Sequence, residues 1–469
     1  MYRFATSQRA RGAGFPRTCH VAPQSLAAGL VASVLALVAS TNVHAQAPQQ
    51  LDAAEVRRQI ETLRAEQARI AELQMRMETS IRALEASLGI ASPPANGPGP
   101  DPVQEANPIA RSANAAPVPG TVAASQSALA SRLNVAGDMR VRAQADRSNS
   151  HAPDRYSAQV RGRLGATYAV SDLVSVGGRL VTGDFNDPNS TDVQLSGFDN
   201  KFAVSLDLAY AKLDFGNVQF YGGKLPQPFV RTELVWDGDV TPQGISANYK
   251  LPLAGGGAIK ANGLYFVIDE QAGGPDSTMA GGQLVYESPL LGAWKFDTAA
   301  GYYYYSLGST AGADAGDYRT NLRKPDGTYM SQFQLGDLIV GATYNGFGER
   351  WPLRFVGDYV HNFGAATSAD TGYGVDLLLG RASKAGDWRV GYGYAVTQTD
   401  AVFAAFSQDN TSIATNYRQH LLSADYVIAP GTSINATWAH YKPYSALDAG
   451  SFDPGDWLDR FRLALLVTF

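Results

Sequence analysis

Seven arginines stand at alternate or isolated positions within extended, period-two segments: Arg140 and Arg142, Arg161 and Arg163, Arg179, and Arg460 and Arg462. A spacing of two puts each pair on one face of a strand. Guanidinium groups stay charged and hold carboxylates and phosphates through a fork of donors. A wall of them therefore reads as an attractor of anions; the alternative is solvated lumen charges with a few local ion pairs. A second group surrounds the stretch Leu225–Pro242: Lys224, Phe229, Glu233, Trp236, Asp237 and Asp239. Pro226 and Pro228 cannot donate to a β-ladder, so the chain from Phe229 to Asp239 must leave its sheet. Folded inward, Phe229 and Trp236 would supply the apolar surface for packing on a wall. Glu233, Asp237 and Asp239 would then oppose the arginines and set up a transverse field, with Lys224 as a further cation at the constriction. The alternative is an outward loop with ordinary turn residues.

No catalytic grouping is expected, because no nucleophile pairs recognisably with a base. His151, His361, His420 and His440 have no metal-ligand spacing and read as rim residues. Residues 255–260 run Gly-Gly-Gly-Ala-Ile-Lys without the Gly-Lys-Ser/Thr ending of a phosphate loop, so they read as a turn. Neither cofactor nor metal is expected. A formal charge of −5 gives no basic field for nucleic acid, and the sole cysteine is Cys19.

The elements that position these residues have a period of two from Leu133 to Phe469. At the end of the chain Phe461, Leu463, Leu465, Val467 and Phe469 alternate with Arg460, Arg462, Ala464, Leu466 and Thr468. Sixteen strands are predicted, at 133–145, 155–170, 173–184, 202–215, 217–224, 243–251, 257–268, 277–288, 292–305, 335–345, 352–363, 371–383, 387–397, 417–428, 432–441 and 458–469. Most are long enough to cross a bilayer at a tilt of about 45°. Short connections alternate strictly with long ones. An even strand count with turns sorted by length is the pattern of an all-β, sixteen-stranded antiparallel transmembrane barrel. A soluble sandwich has no reason to sort its loops this way. Charged residues are 17% of the chain, fewer than in most soluble proteins. Tyr168, Trp294, Tyr304, Tyr344, Tyr426, Trp438 and Phe469 fit aromatic girdles at the two interfaces. Sixteen strands leave a bore that side chains cannot fill, so water must occupy it. In the fourth strand the alternation breaks at Lys212, and a bulge near Ala211 would restore it.

Before the barrel, residues 1–45 read as a signal peptide. Arg3, Arg9, Arg11 and Arg17 precede an apolar run at 26–39 and a Val43-His44-Ala45 cleavage site. Residues 46–90 read as an α-helical coiled coil. Val56, Leu63, Ile70, Met77 and Leu84 recur every seven residues, and Ile60, Gln67, Gln74, Ile81 and Leu88 follow each by four. Its two Gln layers suit a three-chain assembly; a helix docked on its own barrel is the alternative. Residues 91–132, rich in Pro and Ala, read as a linker.

Two motifs carry a family resemblance. Residues 223–229 read Gly-Lys-Leu-Pro-Gln-Pro-Phe, followed at 234–244 by Leu-Val-Trp-Asp-Gly-Asp-Val-Thr-Pro-Gln-Gly; residues 161–165 read Arg-Gly-Arg-Leu-Gly, with Arg-Leu-Val-Thr-Gly-Asp at 179–184. The chain from Leu133 to Phe469, with its coiled-coil preface, resembles the bacterial putative-porin family. The resemblance implies an outer-membrane, trimeric, sixteen-stranded diffusion channel whose partners are outer-membrane lipid and further copies of itself. Terminal Phe469 resembles the recognition residue read by the barrel-assembly machinery. The expected function is thus passive diffusion of small hydrophilic solutes and ions; the arginine wall points to anions, while Asp207, Asp297, Asp358 and Asp425, read as inward, dilute it and leave the preference open. The competing classes are a barrel enzyme, which would need a catalytic dyad at the rim, and an adhesin, which would need only a short barrel segment per chain.

Overall fold

The computed structural model describes residues 132–148, 154–195, 201–308 and 320–469. The signal peptide, the coiled coil and the linker up to residue 131 lie outside them. The strands are β1 (Leu133–Ser148), β2 (Arg155–Ala169), β3 (Val174–Thr182), β4 (Val193–Gln194), β5 (Val204–Asp214), β6 (Val218–Lys224), β7 (Gln243–Pro252), β8 (Ala258–Asp269) and β9 (Ser277–Glu287). They continue as β10 (Trp294–Leu307), β11 (Gln334–Tyr344), β12 (Leu353–Asn362), β13 (Thr371–Gly380), β14 (Trp388–Thr397), β15 (Tyr417–Ala429), β16 (Thr432–Pro443) and β17 (Leu458–Thr468). Sixteen of these build the wall, each antiparallel to its sequence neighbours, and the two-residue β4 adds a short pairing to β2 at Gln159 and Val160.

The ring closes between β1 and β17, with Asp138 opposite Thr468 and Asp146 opposite Arg460. Closure leaves no open edge, which in hydrocarbon would expose backbone groups with no partner. The last bonds of the seam run both ways between Gly137 and Phe469: the Gly137 N–H donates to the Phe469 carbonyl at 2.8 Å and the Phe469 N–H donates back at 3.0 Å. A side chain at 137 would meet the Phe469 ring and the Arg163 carbonyl, each at 2.6 Å, so glycine is required there.

Alternation sorts the two faces as the pattern predicts. On β1, Met139 and Val141 are exposed on the outside, while Asp138, Arg142 and Gln144 are buried on the inside. On β17, Phe461, Leu463, Leu465 and Val467 are exposed outward and Arg460, Arg462 and Ala464 are buried inward.

β5 corrects one expectation. Its bulge lies at Asp207, where the register against β3 passes from Arg179↔Leu208 to Leu180↔Leu206, and not near Ala211. Leu208, Tyr210 and Lys212 therefore share the inward side, whereas unbroken alternation had placed Leu208 and Tyr210 with Leu206. Gly177 opposite makes room for the ring: a Cβ there would lie 2.4 Å from Tyr210.

The apolar core lies inside the ring and not between layers. Leu225, Phe229, Leu234, Val235, Trp236 and Val240 pack with inward side chains of β8 to β12, including Leu264, Phe266, Met279, Tyr303, Tyr305, Leu335 and Val360. Ala401, Val402, Phe403, Ala405 and Phe406, from the connection between β14 and β15, join the same cluster.

Candidate functional site

The 225–242 loop begins where Pro226 and Pro228 end pairing after β6, and its neck is tied by the Leu225 N–H to the Pro242 carbonyl at 2.8 Å. Phe229 and Trp236 are 1% and 0% exposed, so the loop lies against the inner wall. The Phe229 ring sits 4.9 Å from that of Tyr303, and the Trp236 ring 5.5 Å from Tyr303 in an edge-on contact. Gly281 of β9 supplies the floor; a Cβ there would come within 2.8 Å of Tyr303 and 3.3 Å of Phe229. The loop backbone is held at Val230, whose N–H donates to Gln283 Oε1 at 2.8 Å and whose carbonyl accepts from Gln283 Nε2 at 2.7 Å. Thr232 donates its hydroxyl to Asp358 on β12.

On its other side the loop reaches the arginines. Arg163 Nη1 lies 3.1 Å from Asp239 Oδ1, and Thr191 donates to Asp239 Oδ2 at 3.0 Å. The loop thus bridges the bore from β9–β12 to β2.

The seven arginines all turn inward, and each meets a partner. Arg140 and Arg142 share Asp192. Arg161 and Arg163 share Asp138, at 2.8 and 2.6 Å. Arg179 holds both oxygens of Asp207, and Arg460 pairs with Asp146. Arg462 has no carboxylate within ion-pair distance among the described contacts; it donates to Gln144 Oε1 at 2.8 Å and to Asn410 Oδ1 at 3.0 Å. Seven guanidinium groups therefore face five carboxylates in direct contact, Asp239 included. The arrangement is an ordered lattice of charges with a small positive excess, not a bare ladder. Asp192 and Asp239 show the effect: burial works to raise both carboxyls, but Arg140 and Arg142 beside the first, and Arg163 with its neighbours beside the second, hold them below the usual carboxylate range.

The other two loop carboxylates do not touch the arginines. Asp237 is buried against the 398–416 loop: its N–H donates to the Phe406 carbonyl at 2.8 Å, and one carboxylate oxygen accepts from the Asp409 N–H at 3.4 Å. Glu233 accepts from Asn410 Nδ2 at 3.5 Å and lies 3.7 Å from Arg231. Burial pushes the Glu233 carboxyl up to about 7, and burial together with the Glu233 charge raises Asp237 well above its ordinary range. Lys224 points to the loop neck and donates to the Thr241 carbonyl at 2.9 Å. Phe469 stands at the seam described above.

The 398–416 loop is the part that alternation alone does not reveal. Asn189 anchors it by donating to the Ser407 carbonyl at 2.8 Å, and Asn321 donates to the carbonyls of Thr399 and Val402 while accepting from the Ala404 N–H. Arg460 donates to the Asn410 carbonyl and to Ser412, and Phe406 stacks on Trp236 at 5.9 Å. The signal for this was available in the run Ala401-Val402-Phe403-Ala404-Ala405-Phe406. Six apolar residues in a long loop between amphipathic strands need a surface to cover. Asp192 and Asp138, the direct partners of four arginines, were not singled out, because pairing across loops and strands carries no local pattern.

Among the described residues no group of three or more His, Cys, Asp or Glu side chains is placed to hold a metal ion. What the site can do is present fixed positive and negative groups on the inner wall and on a loop that crosses from β9–β12 to β2.

The model of the family described as "Putative porin" matches residues 148–336, so the family resemblance read from the sequence holds over that span. The barrel is similar to OprB of Pseudomonas putida in its high-pH structure, with 13% identity, 72% of this chain and 94% of that chain covered, and a TM-score of 0.50. It also aligns with OmpF of Salmonella typhi, solved in complex with daunomycin (12% identity, 72% and 97% covered, TM-score 0.44). A loop L8 deletion mutant of OmpT from Vibrio cholerae gives 10% identity, 72% and 100% covered, and a TM-score of 0.44. No curated protein matches the sequence.

Proposed function

We propose that the chain is an outer-membrane porin, a water-filled channel for passive diffusion of small hydrophilic solutes and ions. The observation that carries this reading is the closed ring of sixteen strands with charge on its inner face and exposed aliphatic and aromatic side chains on its outer face. That polarity is the reverse of a soluble barrel, and it suits lipid outside with water inside. Partly buried Arg354 and Asp297, 2.7 Å apart, and Lys212 with Asp214, at the same separation, continue the polar lining. The family match over residues 148–336 supports the same conclusion. Stepwise conductance in planar bilayers by the purified protein tests it; a membrane that stays silent at saturating protein overturns it.

Anions are the favoured cargo, because the inner wall of β1, β2, β3 and β17 carries more guanidinium than carboxylate in direct contact, and a confined passage screens that excess poorly. The constriction is formed by the 225–242 loop, which meets the arginine wall at the Asp239–Arg163 pair and packs Glu233 and Asp237 against the 398–416 loop. The assembly is a homotrimer. Between the end residues Tyr156 and Tyr168, the outward faces of β1 to β5 are mostly small and aliphatic, such as Val141, Gly162, Leu164, Val176, Gly178 and Leu180, whereas Trp294, Phe296, Tyr302, Tyr359, Tyr373 and Trp388 crowd β10 to β14. Aromatic belts serve lipid interfaces, and a small aliphatic face suits a neighbouring barrel. The 46–90 coiled coil, in the periplasm once the signal peptide is removed, joins the same three chains, and Phe469 marks the strand for the barrel-assembly machinery. Native mass measurement of the detergent-extracted protein decides the stoichiometry.

A further inference from the structure

The outer face of β15 and β16 breaks its own pattern at the ends that lead into the long loops. Arg418 lies opposite Lys442 and His420 opposite His440 in the register, which sets four basic side chains in a square on adjacent strands. Arg418 and Lys442 carry like charges directly opposite each other, which repel in a sheet, so this pair is unfavourable without a counter-anion. The aromatic surroundings are ordered. The His440 ring stacks on Trp457 at 4.2 Å and 5°, and Lys442 Nζ stands 4.9 Å from the centre of the same indole. Arg418 lies 5.7 Å from the Tyr444 ring. Tyr392 shares a hydrogen bond with His420 Nδ1 at 2.9 Å, and Asp459 accepts from Trp438 Nε1 and bonds His440 Nδ1. Asp459 thus occupies one histidine and leaves the two fixed cations alone. Neither Arg418 nor Lys442 has a carboxylate within ion-pair distance among the described contacts, whereas six of the seven inward arginines do. Arg418 Nε is also buried without a hydrogen-bond partner. Along the same face, toward the short turns, follow the exposed Leu422, Trp438, Phe461, Leu463 and Leu465.

We propose that this patch binds a phosphorylated lipid headgroup of the outer leaflet, with Arg418 and Lys442 gripping the phosphate and the apolar face beyond them taking the acyl chains. The proposal rests on the outer-membrane reading above. Cations above and greasy surface below match the layout of such a lipid and of no free solute: a forked guanidinium and an ammonium hold a phosphate, and juxtamembrane basic clusters read as anionic-headgroup sites. Trp457 fixes the height by placing an indole at the interface.

The test uses the full chain in detergent with three probes: bisphosphorylated lipid A, its dephosphorylated form, and inorganic phosphate. Native mass spectrometry should show the wild type retaining bisphosphorylated lipid A at least about tenfold more tightly than the Arg418→Gln/Lys442→Gln variant, with the dephosphorylated lipid bound equally by both. Inorganic phosphate at millimolar concentration should leave the lipid in place. Equal retention by wild type and variant overturns the proposal, and displacement by phosphate overturns the lipid in favour of a free-anion site. Should the double variant fail to form a barrel, the wild type alone decides, because equal retention of the two lipids is then the overturning result. Bilayer conductance of the same samples keeps the readings apart: lipid retention by a silent protein would sink the channel and spare the headgroup site.

Discussion

Arg163 is shared between two carboxylates, Asp138 on the neighbouring strand at 2.6 Å and Asp239 on the inward loop at 3.1 Å. One guanidinium thereby ties the wall to the inward loop. Removing either acid changes the charge of the bore and the tether of the loop together. Asp239→Asn deletes one negative charge and leaves the loop's far end with a weaker hold, a charge-assisted bond being worth about 1.5–3 kcal/mol. The expected result is a reversal potential shifted toward anion selectivity in a salt gradient, with noisier open-channel current. An unshifted potential means that the passage does not run by Asp239.

The paired state of the arginines sets the size of a second effect. Neutralising Arg140, Arg142, Arg161 and Arg163 together to Gln strips four positive charges and strands Asp138 and Asp192, so the wall becomes net negative. Selectivity should cross to cations, a larger change than the loss of unpaired arginines would bring. The converse pair, Asp138→Asn with Asp192→Asn, should move the potential the other way. Identical potentials in the two variants would remove the charged wall from any account of permeation.

The docking of the 225–242 loop is a packing matter, and its weak points are named by geometry. Trp236→Ala empties a fully buried site between Tyr303 and Phe406, a loss of about 3–5 kcal/mol, and Gly281→Val forces a side chain into the space of Phe229 and Tyr303 at about 1–3 kcal/mol. Both should release the loop without opening the ring, because the ladder bonds of β6 and β7 are untouched. Trypsin should then cut at Arg231, which is shielded in the wild type, and single-channel conductance should rise. Resistance to trypsin in both variants would show that the loop is held by its polar ties alone.

How much of this was legible in the sequence follows from the range of each cause. Alternation is local, and it located all sixteen wall strands and their order of short and long connections, since each residue's face depends only on its parity. Parity failed where a bulge intervened: the inward turn of Tyr210 depends on Gly177 across the ladder, and nothing near Ala211 announces it. The prolines after Lys224 showed that the chain must leave the sheet there, and the aromatics in that stretch gave it a reason to pack. The same reason applied to Phe403 and Phe406, but no proline drew the eye to them. Partners of the arginines were the least visible, because Asp192 reaches Arg140 and Arg142 across about fifty residues of chain.

That second inward loop yields its own prediction. Replacing residues 401–412 by a short Gly-Ser bridge removes Phe403 and Phe406 from the aromatic cluster and Asn410 from Arg460 and Arg462. Two guanidinium groups then face the passage with fewer ties. Conductance should rise and the potential should shift toward anions, in contrast to the Trp236→Ala variant, where conductance rises with the Asn410 contacts of Arg460 and Arg462 intact. A shortened channel with unchanged current would place the 398–416 loop outside the permeation path.

The pH response of the constriction follows from Glu233 and Asp237. Burial, and for Asp237 the neighbouring Glu233 charge, favours their neutral forms, with the Glu233 carboxyl pushed up to about 7. A carboxyl raised in the folded state contributes stability that is complete below its ordinary range and is lost as pH rises through the folded value. Between about pH 5 and pH 8, therefore, Glu233 ionises beside Asp237 and the 398–416 loop, adding a negative charge to the inward loop and loosening the contact of the two loops. Anion selectivity should fall over that interval with a midpoint near 7. Asp239 works in the opposite sense and outside this window: held low by Arg163 and its neighbours, it stays ionised throughout and loses its contribution only in strong acid. Glu233→Gln should flatten the neutral-range change while leaving conductance at pH 5 near the wild-type level. A midpoint that persists in Glu233→Gln would assign the titration to another group and remove Glu233 from the constriction.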